Sequence, residues 1–168
     1  MLSDLSDDKT PKSIDAKSQR MLAYLSCRAA VKSGDILSQR QMKTISKENL
    51  SGCLNFLSLG MDELFSEEFQ KVQNFDKLVL IFESSNEHSM AEHRRMFIEL
   101  MNRNLQNPVI IKRSYSDLGS DKFQLYSSTD FGALFLDGLG DGIWIQAENC
   151  GGKQLTTSTA FGILQATR

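Results

Sequence analysis

The sequence predicts an α/β fold: mainly parallel strands alternating with helices, in a partial or degenerate TIM-barrel-like domain. Short runs of apolar, often β-branched residues recur along the chain, as in "CLNFLSL" (53–59), "KLVLIFE" (77–83) and "PVIIKRSY" (108–115). Stretches with apolar residues three or four apart separate these runs, as helices require. The run at 77–83 does not alternate with polar residues, which is the pattern of a strand buried on both faces of a parallel sheet. Strand–helix alternation of this kind implies right-handed crossovers between parallel strands.

Taken in order, residues 1–15, "MLSDLSDDKTPKSID", are polar, contain one of the two prolines and show no sustained period. They read as a flexible tail or linker. Residues 16–168 then read as one α/β domain, since 168 residues suit about one core. Met21, Leu25 and Ala29 recur at i, i+4 and i+8, with Gly34 as a stop. A second helix is expected over 38–47, with Ser38 as its cap. Strand 53–59 leads to a helix capped by Asp62, with Phe65, Phe69 and Val72 on one face. Strand 77–83 leads to a helix from Ser85 or Asn86 to Leu105, with Phe97, Met101 and Leu105 inward. Pro108 fits the first position of the next strand, where no ladder hydrogen bond is lost. A helix over 121–130, strands at "ALFLDG" (133–138) and "GIWIQ" (142–146), and a helix at "STAFGILQAT" (158–167) complete the expectation.

The formal net charge of −2 and the mixing of acids with bases argue against a nucleic-acid binder. No apolar run approaches the roughly 20 residues of a membrane span, and the N-terminus lacks a basic start followed by an apolar stretch. Cys27, Cys53 and Cys150 lie far apart without a CxxC spacing, which suits reduced thiols and neither a disulfide frame nor a metal site. The expectation is a soluble, cytoplasmic chain with no nucleic-acid or membrane partner and no cofactor of its own.

The candidate chemistry is sparse. His88 and His93 stand five apart, so a helix would turn them to different faces, and both read as solvated surface residues. No GxSxG elbow occurs, and neither GxxxxGK[ST] nor GxGxxG is present. "DGLGDG" (137–142) has the wrong glycine spacing and a strand after it where phosphate loops need a helix. No catalytic residue is assigned. Glu83, Lys112, Arg113 and Asp137 fall at expected strand ends, where α/β domains place ligands, and Trp144 could stack on one. Each has a plainer reading: a solvated or paired charge, or a core tryptophan. On these residues alone, an independent small-molecule-binding domain and a protein-interaction domain both stay open.

"FGALFLDGLGDGIWI" (131–145) with "STAFGILQATR" (158–168) resembles the segment just before the iron–sulfur domain of 4-hydroxy-3-methylbut-2-enyl diphosphate synthases. "HRRMFIELMNRNLQNP" (93–108) and "NPVIIKRSY" (107–115) resemble the inserted middle domain of the long, three-domain form found in plants and some bacteria. The likeness covers about 75–168. It implies a parent enzyme of the non-mevalonate isoprenoid pathway that reductively opens a cyclic diphosphate, with a substrate barrel and a [4Fe-4S] domain as this domain's partners. It also implies a structural, barrel-like role for the middle domain. The family's cluster motif is not matched by Cys27, Cys53 or Cys150. Where shorter members carry an Arg and a Ser facing phosphate, the aligned positions are Trp144 and Gln146, which offer no positive charge. The loop 137–142 is accordingly expected to turn one strand into the next without binding phosphate.

Overall fold

The computed structural model describes residues 36–37, 54–75 and 77–167. Its strands are β1 (Ile36–Leu37), β2 (Asn55–Leu59), β3 (Leu78–Glu83), β4 (Val109–Ser116) and β5 (Gly142–Glu148). Its helices are α1 (Met61–Leu64), α2 (Glu67–Val72), α3 (Ser89–Asn102), α4 (Ser120–Leu136) and α5 (Lys153–Ala166). The strands pair in chain order, β1–β2–β3–β4–β5, and every pairing is parallel. The α/β class follows directly from the sequence pattern. The tail expected over 1–15, the helices expected over 16–34 and 38–47, and Cys27 and Cys53 lie outside the described residues.

The pleat sorts the strand residues into two clusters. Leu57, Leu59, Leu78, Leu80, Phe82, Val109, Ile111 and Ile143 join Leu64, Phe69, Met96, Phe97, Leu100, Phe123, Phe131, Leu134 and Ile163 from the helices in the main core. Phe56, Val79, Ile81 and Ile110 form a second cluster on the opposite face, with Trp144 packed against it. Burial on both faces explains why β3 reads as an unbroken apolar run.

Four local expectations are corrected. The segment 133–138 is not a strand but the last turn of α4. The buried positions Phe123, Ser127, Phe131 and Leu134 keep the helical period running through it. A Schellman turn then ends the helix: Gly138, at φ +74°, donates its N–H to the Phe135 carbonyl, and Leu139 donates to Leu134. The loop 137–142 therefore joins a helix to a strand. The helix expected after Asp62 is broken in two, because the Ser66 hydroxyl accepts from the Phe69 N–H (3.2 Å) and caps α2. That break leaves Phe65 exposed, while Phe69 and Val72 remain buried. On α3 the inward stripe is Ser89, His93, Met96, Phe97 and Leu100; Met101 is 58% exposed. The last helix starts five residues earlier than expected, at Lys153.

Candidate functional site

Parallel strands bring their carboxyl ends to one edge of the sheet, and helices begin there. At that edge the ends of β3 and β4, the segments that follow β2 and β3, and Glu92 of α3 line a cavity of about 570 Å³. Glu83, Lys112 and Arg113 all line it, with Ser84, Glu92 and the Gly60–Glu63 turn. Trp144 stands beside Lys112 in the strand register, so Glu83, Lys112 and Trp144 lie abreast on three adjacent strands.

The cations at this edge are already engaged. The Lys112 ammonium pairs with the Glu83 carboxylate and lies 4.7 Å from the centre of the Trp144 ring. Arg113, one residue on, projects to the helix side, because successive strand residues face opposite ways. Its Nε donates to Asp130 on α4 (3.1 Å), and its terminal nitrogens donate to the carbonyls of Ser84 and Glu87 (3.1 Å each). Tyr115 donates to the same Asp130 carboxylate at 2.8 Å. Burial, with the Asp130 charge as the next cause, pushes the Tyr115 phenol well above its ordinary range. Arg113 is thus a clamp that ties the β3–α3 loop to α4.

The acids are used in the same way. Glu63 accepts from the Gly60 N–H at 2.9 Å, and Glu92 accepts from the Ser84 hydroxyl. The walls carry Asp62, Glu63, Glu83 and Glu92 against Lys112 and Arg113, four carboxylates to two cations. Such a field disfavours a diphosphate, and each cation would first have to leave its partner.

Asp137 is not part of this constellation. It caps the carboxyl end of α4 at the opposite edge of the sheet, where it pairs with Arg94 at 2.5 Å. Both side chains are more than a third exposed, so the pair contributes little to stability. In the same loop the Asp141 carboxylate accepts from the Val109 N–H (2.9 Å), and its own N–H donates to the Val109 carbonyl (2.7 Å). Gly140, at φ +88°, lies so close to Ile111 that an added Cβ would come within 2.9 Å of Cδ1. The second aspartate and the second glycine of "DGLGDG" therefore fasten the start of β5 to the start of β4.

The expectation that both histidines are solvated is corrected at His93. His88 is exposed, but His93 is 1% exposed under α3. Neither His93 ring nitrogen has a hydrogen-bond partner. Burial, reinforced by the nearby Arg113 charge, lowers its pKa from 6.5 to about 4, so the ring is neutral near pH 7. The sequence carries the signal for this: His93 stands four residues before Phe97, on the buried stripe.

The described residues do not fit an iron–sulfur cluster. Cys150 is buried and free, with its thiol donating to the Glu148 carbonyl. No group of three or more His, Cys, Asp or Glu able to hold a metal occurs among the described residues. Among those residues no helix is long and apolar enough to cross a membrane.

Comparison with known proteins gives one consistent result. The chain is 35% identical over 115 residues to the 4-hydroxy-3-methylbut-2-en-1-yl diphosphate synthase (flavodoxin) of Phocaeicola vulgatus, covering 68% of this chain and 19% of that one. It is 37% identical over 92 residues to the enzyme of the same name in Bacteroides thetaiotaomicron, covering 55% and 15%. For the Porphyromonas gingivalis enzyme the figures are 35% over 113 residues, covering 67% and 19%. The chain is related to part of that synthase. The matched stretch spans less than a fifth of these relatives. No family model matches the chain, and no solved structure matches it.

Proposed function

We propose that this chain acts as a scaffolding domain of the kind inserted in the middle of long-form 4-hydroxy-3-methylbut-2-enyl diphosphate synthases. In this reading it holds a substrate barrel and an iron–sulfur domain in a working relation and contributes no reacting group itself. In this reading the parent activity is an oxidoreduction in isoprenoid biosynthesis, for which a [4Fe-4S] cluster held by another domain would supply the electrons. The observation that carries the reading is the pairing of the edge cations. The likeness to part of that synthase supports the connection, and Lys112 and Arg113 are committed to Glu83 and Asp130. A diphosphate needs several converging, unspent donors. Calorimetric titration of the purified chain with the cyclic diphosphate tests this. The expected result is no heat of binding; micromolar affinity would overturn the scaffold reading and make Lys112 the first residue to mutate.

A second reading has its own observation, the cavity of about 570 Å³ at the carboxyl edge. Its surplus of carboxylates would suit a small cationic or zwitterionic ligand better than a phosphorylated one. Thermal stabilisation of the chain by amines, and not by phosphorylated metabolites, would favour it.

A further inference from the structure

The sheet is covered unevenly. Every buried apolar residue of the five described helices, from Leu64 on α1 to Ile163 on α5, belongs to the main core on one face. The other face carries Phe56 and Ser58 of β2, Val79 and Ile81 of β3, and Ile110 of β4, abreast in register. No described helix contributes to the apolar cluster there. Among the described residues Trp144, from β5, packs against it.

These side chains are nevertheless buried. Phe56, Val79, Ile81 and Ile110 are between 0% and 2% exposed, and Ser58 is 5% exposed. Neighbours in one sheet shield each other only from the side, because strand side chains stand roughly perpendicular to it. Excluding water from all five takes a layer above them. Two stretches of this sequence, 1–35 and 38–53, are left to supply it.

Handedness separates the two. β1 lies beside β2 and parallel to it, as each later strand lies beside the one before. Connections between such strands are right-handed, which puts them all on one side of a sheet that grows in chain order. The later connections carry the helices of the main core, so the connection from β1 to β2 belongs on that side too. The chain before β1 is what remains for the second face.

We propose that residues 16–34 lie across the second face of the sheet as an amphipathic helix, with Met21, Leu22, Leu25 and Ala29 toward Phe56, Val79, Ile81 and Ile110. On a helix those four residues fall within about 100° of arc, the width of an apolar stripe. Residues 1–15 are polar and hold no such stripe. As a helix the stretch is about 28 Å long. The four gaps between five strands take about 19 Å, so it is long enough to cross the sheet. Gly34 then ends the helix and Asp35 leads into β1 at Ile36. A face covered in this way is closed to ligands and to other domains, and contacts with a larger enzyme fall to the helical side and the sheet ends. This holds whether or not the scaffold reading does.

Paramagnetic broadening in the full chain tests it. Cys27 stands about 180° from the middle of the stripe, so a nitroxide attached there leaves the contact intact. The chain carries Cys53→Ser, and Cys150 is buried and does not compete for the label. Methyl resonances of Val79, Ile81 and Ile110 should lose most of their intensity and regain it when the nitroxide is reduced, while those of Leu134 and Ile163, beyond the sheet, keep theirs. Leu25→Glu places a charge in the contact, and Trp144, the sole tryptophan, reports it. Its emission should move to longer wavelength and its quenching by acrylamide should rise, with neither change for Arg20→Glu on the outer arc. If Leu25→Glu does not fold, the nitroxide result, obtained with the stripe unaltered, decides alone. Second-face methyl signals that keep their intensity overturn the proposal. So does broadening that appears equally in nitroxide-free copies mixed with labelled ones, or a Trp144 emission indifferent to Leu25→Glu in a folded chain.

Discussion

Acid should destabilise this protein in part through His93. In the folded chain its pKa is lowered to about 4 from the ordinary 6.5. The unfolded chain therefore binds a proton over a pH range in which the folded chain does not. Stability from the neutral ring is fully present above pH 6.5, falls as pH drops from there, and is lost at about pH 4. The gap of about 2.5 in pH, at about 1.4 kcal/mol each, amounts to about 3 kcal/mol. A variant that lacks the ring separates this contribution from every other effect of acid on the wild type. The assay is therefore a comparison: urea unfolding of wild type and His93→Leu at several pH values between 7 and 4. Leucine fills a similar volume and leaves no unpaired nitrogen in the core, so it should be no less stable at pH 7. Its advantage over wild type should then widen by about 3 kcal/mol on going to pH 4. A difference that stays constant with pH, or a His93 ring resonance titrating near 6.5, would refute the reasoning.

Asp130→Asn removes the charge that Arg113 and Tyr115 share; with both ion-pair partners largely buried, a loss of about 3 kcal/mol is expected in equilibrium unfolding. Gly140→Ala forces a side chain into positive φ and against the buried Ile111, and should cost about 1–3 kcal/mol by the same assay. Ser66→Ala loses the α2 cap and should lower stability by about 1 kcal/mol, read as a drop in thermal midpoint of a few degrees.

The strands are legible where the sequence signal matches the packing. β3 is buried on both faces and reads as an apolar run, and Pro108 marks the approach to β4, where its carbonyl accepts from the Leu80 N–H and no N–H of its own is needed. The segment 133–138 misleads for a physical reason. Four apolar residues before an Asp-Gly pair fit a buried strand and a helix end equally well, and local periodicity cannot separate them. Gly138 with the buried Leu139 after it is the C-terminal signature that decides it, since Leu139 bonds back to Leu134. Phe65 is misplaced when the helical period is carried across Ser66, whose hydroxyl competes with the helix and starts a new one. His93 looks like a surface residue when its spacing is set against His88, and like a core residue when it is set against Met96, Phe97 and Leu100.

The sequence shows adjacent cations at 112 and 113, and the fold explains why they cannot act as a pair. Consecutive strand residues face opposite sides, so Lys112 turns toward Glu83 and Trp144 while Arg113 turns toward Asp130. Each meets a carboxylate on a neighbouring element, and each pairing also holds structure: Lys112 joins β4 to β3, and Arg113 joins β4 to α4 and the β3–α3 loop. Releasing either cation to an anionic ligand would strand a partly buried carboxylate, at a cost comparable to what a phosphate contact returns. An edge built this way is suited to rigidity. That rigidity is what the proposed scaffolding role would ask of the domain, with Lys112 and Arg113 each spent on holding neighbouring elements together.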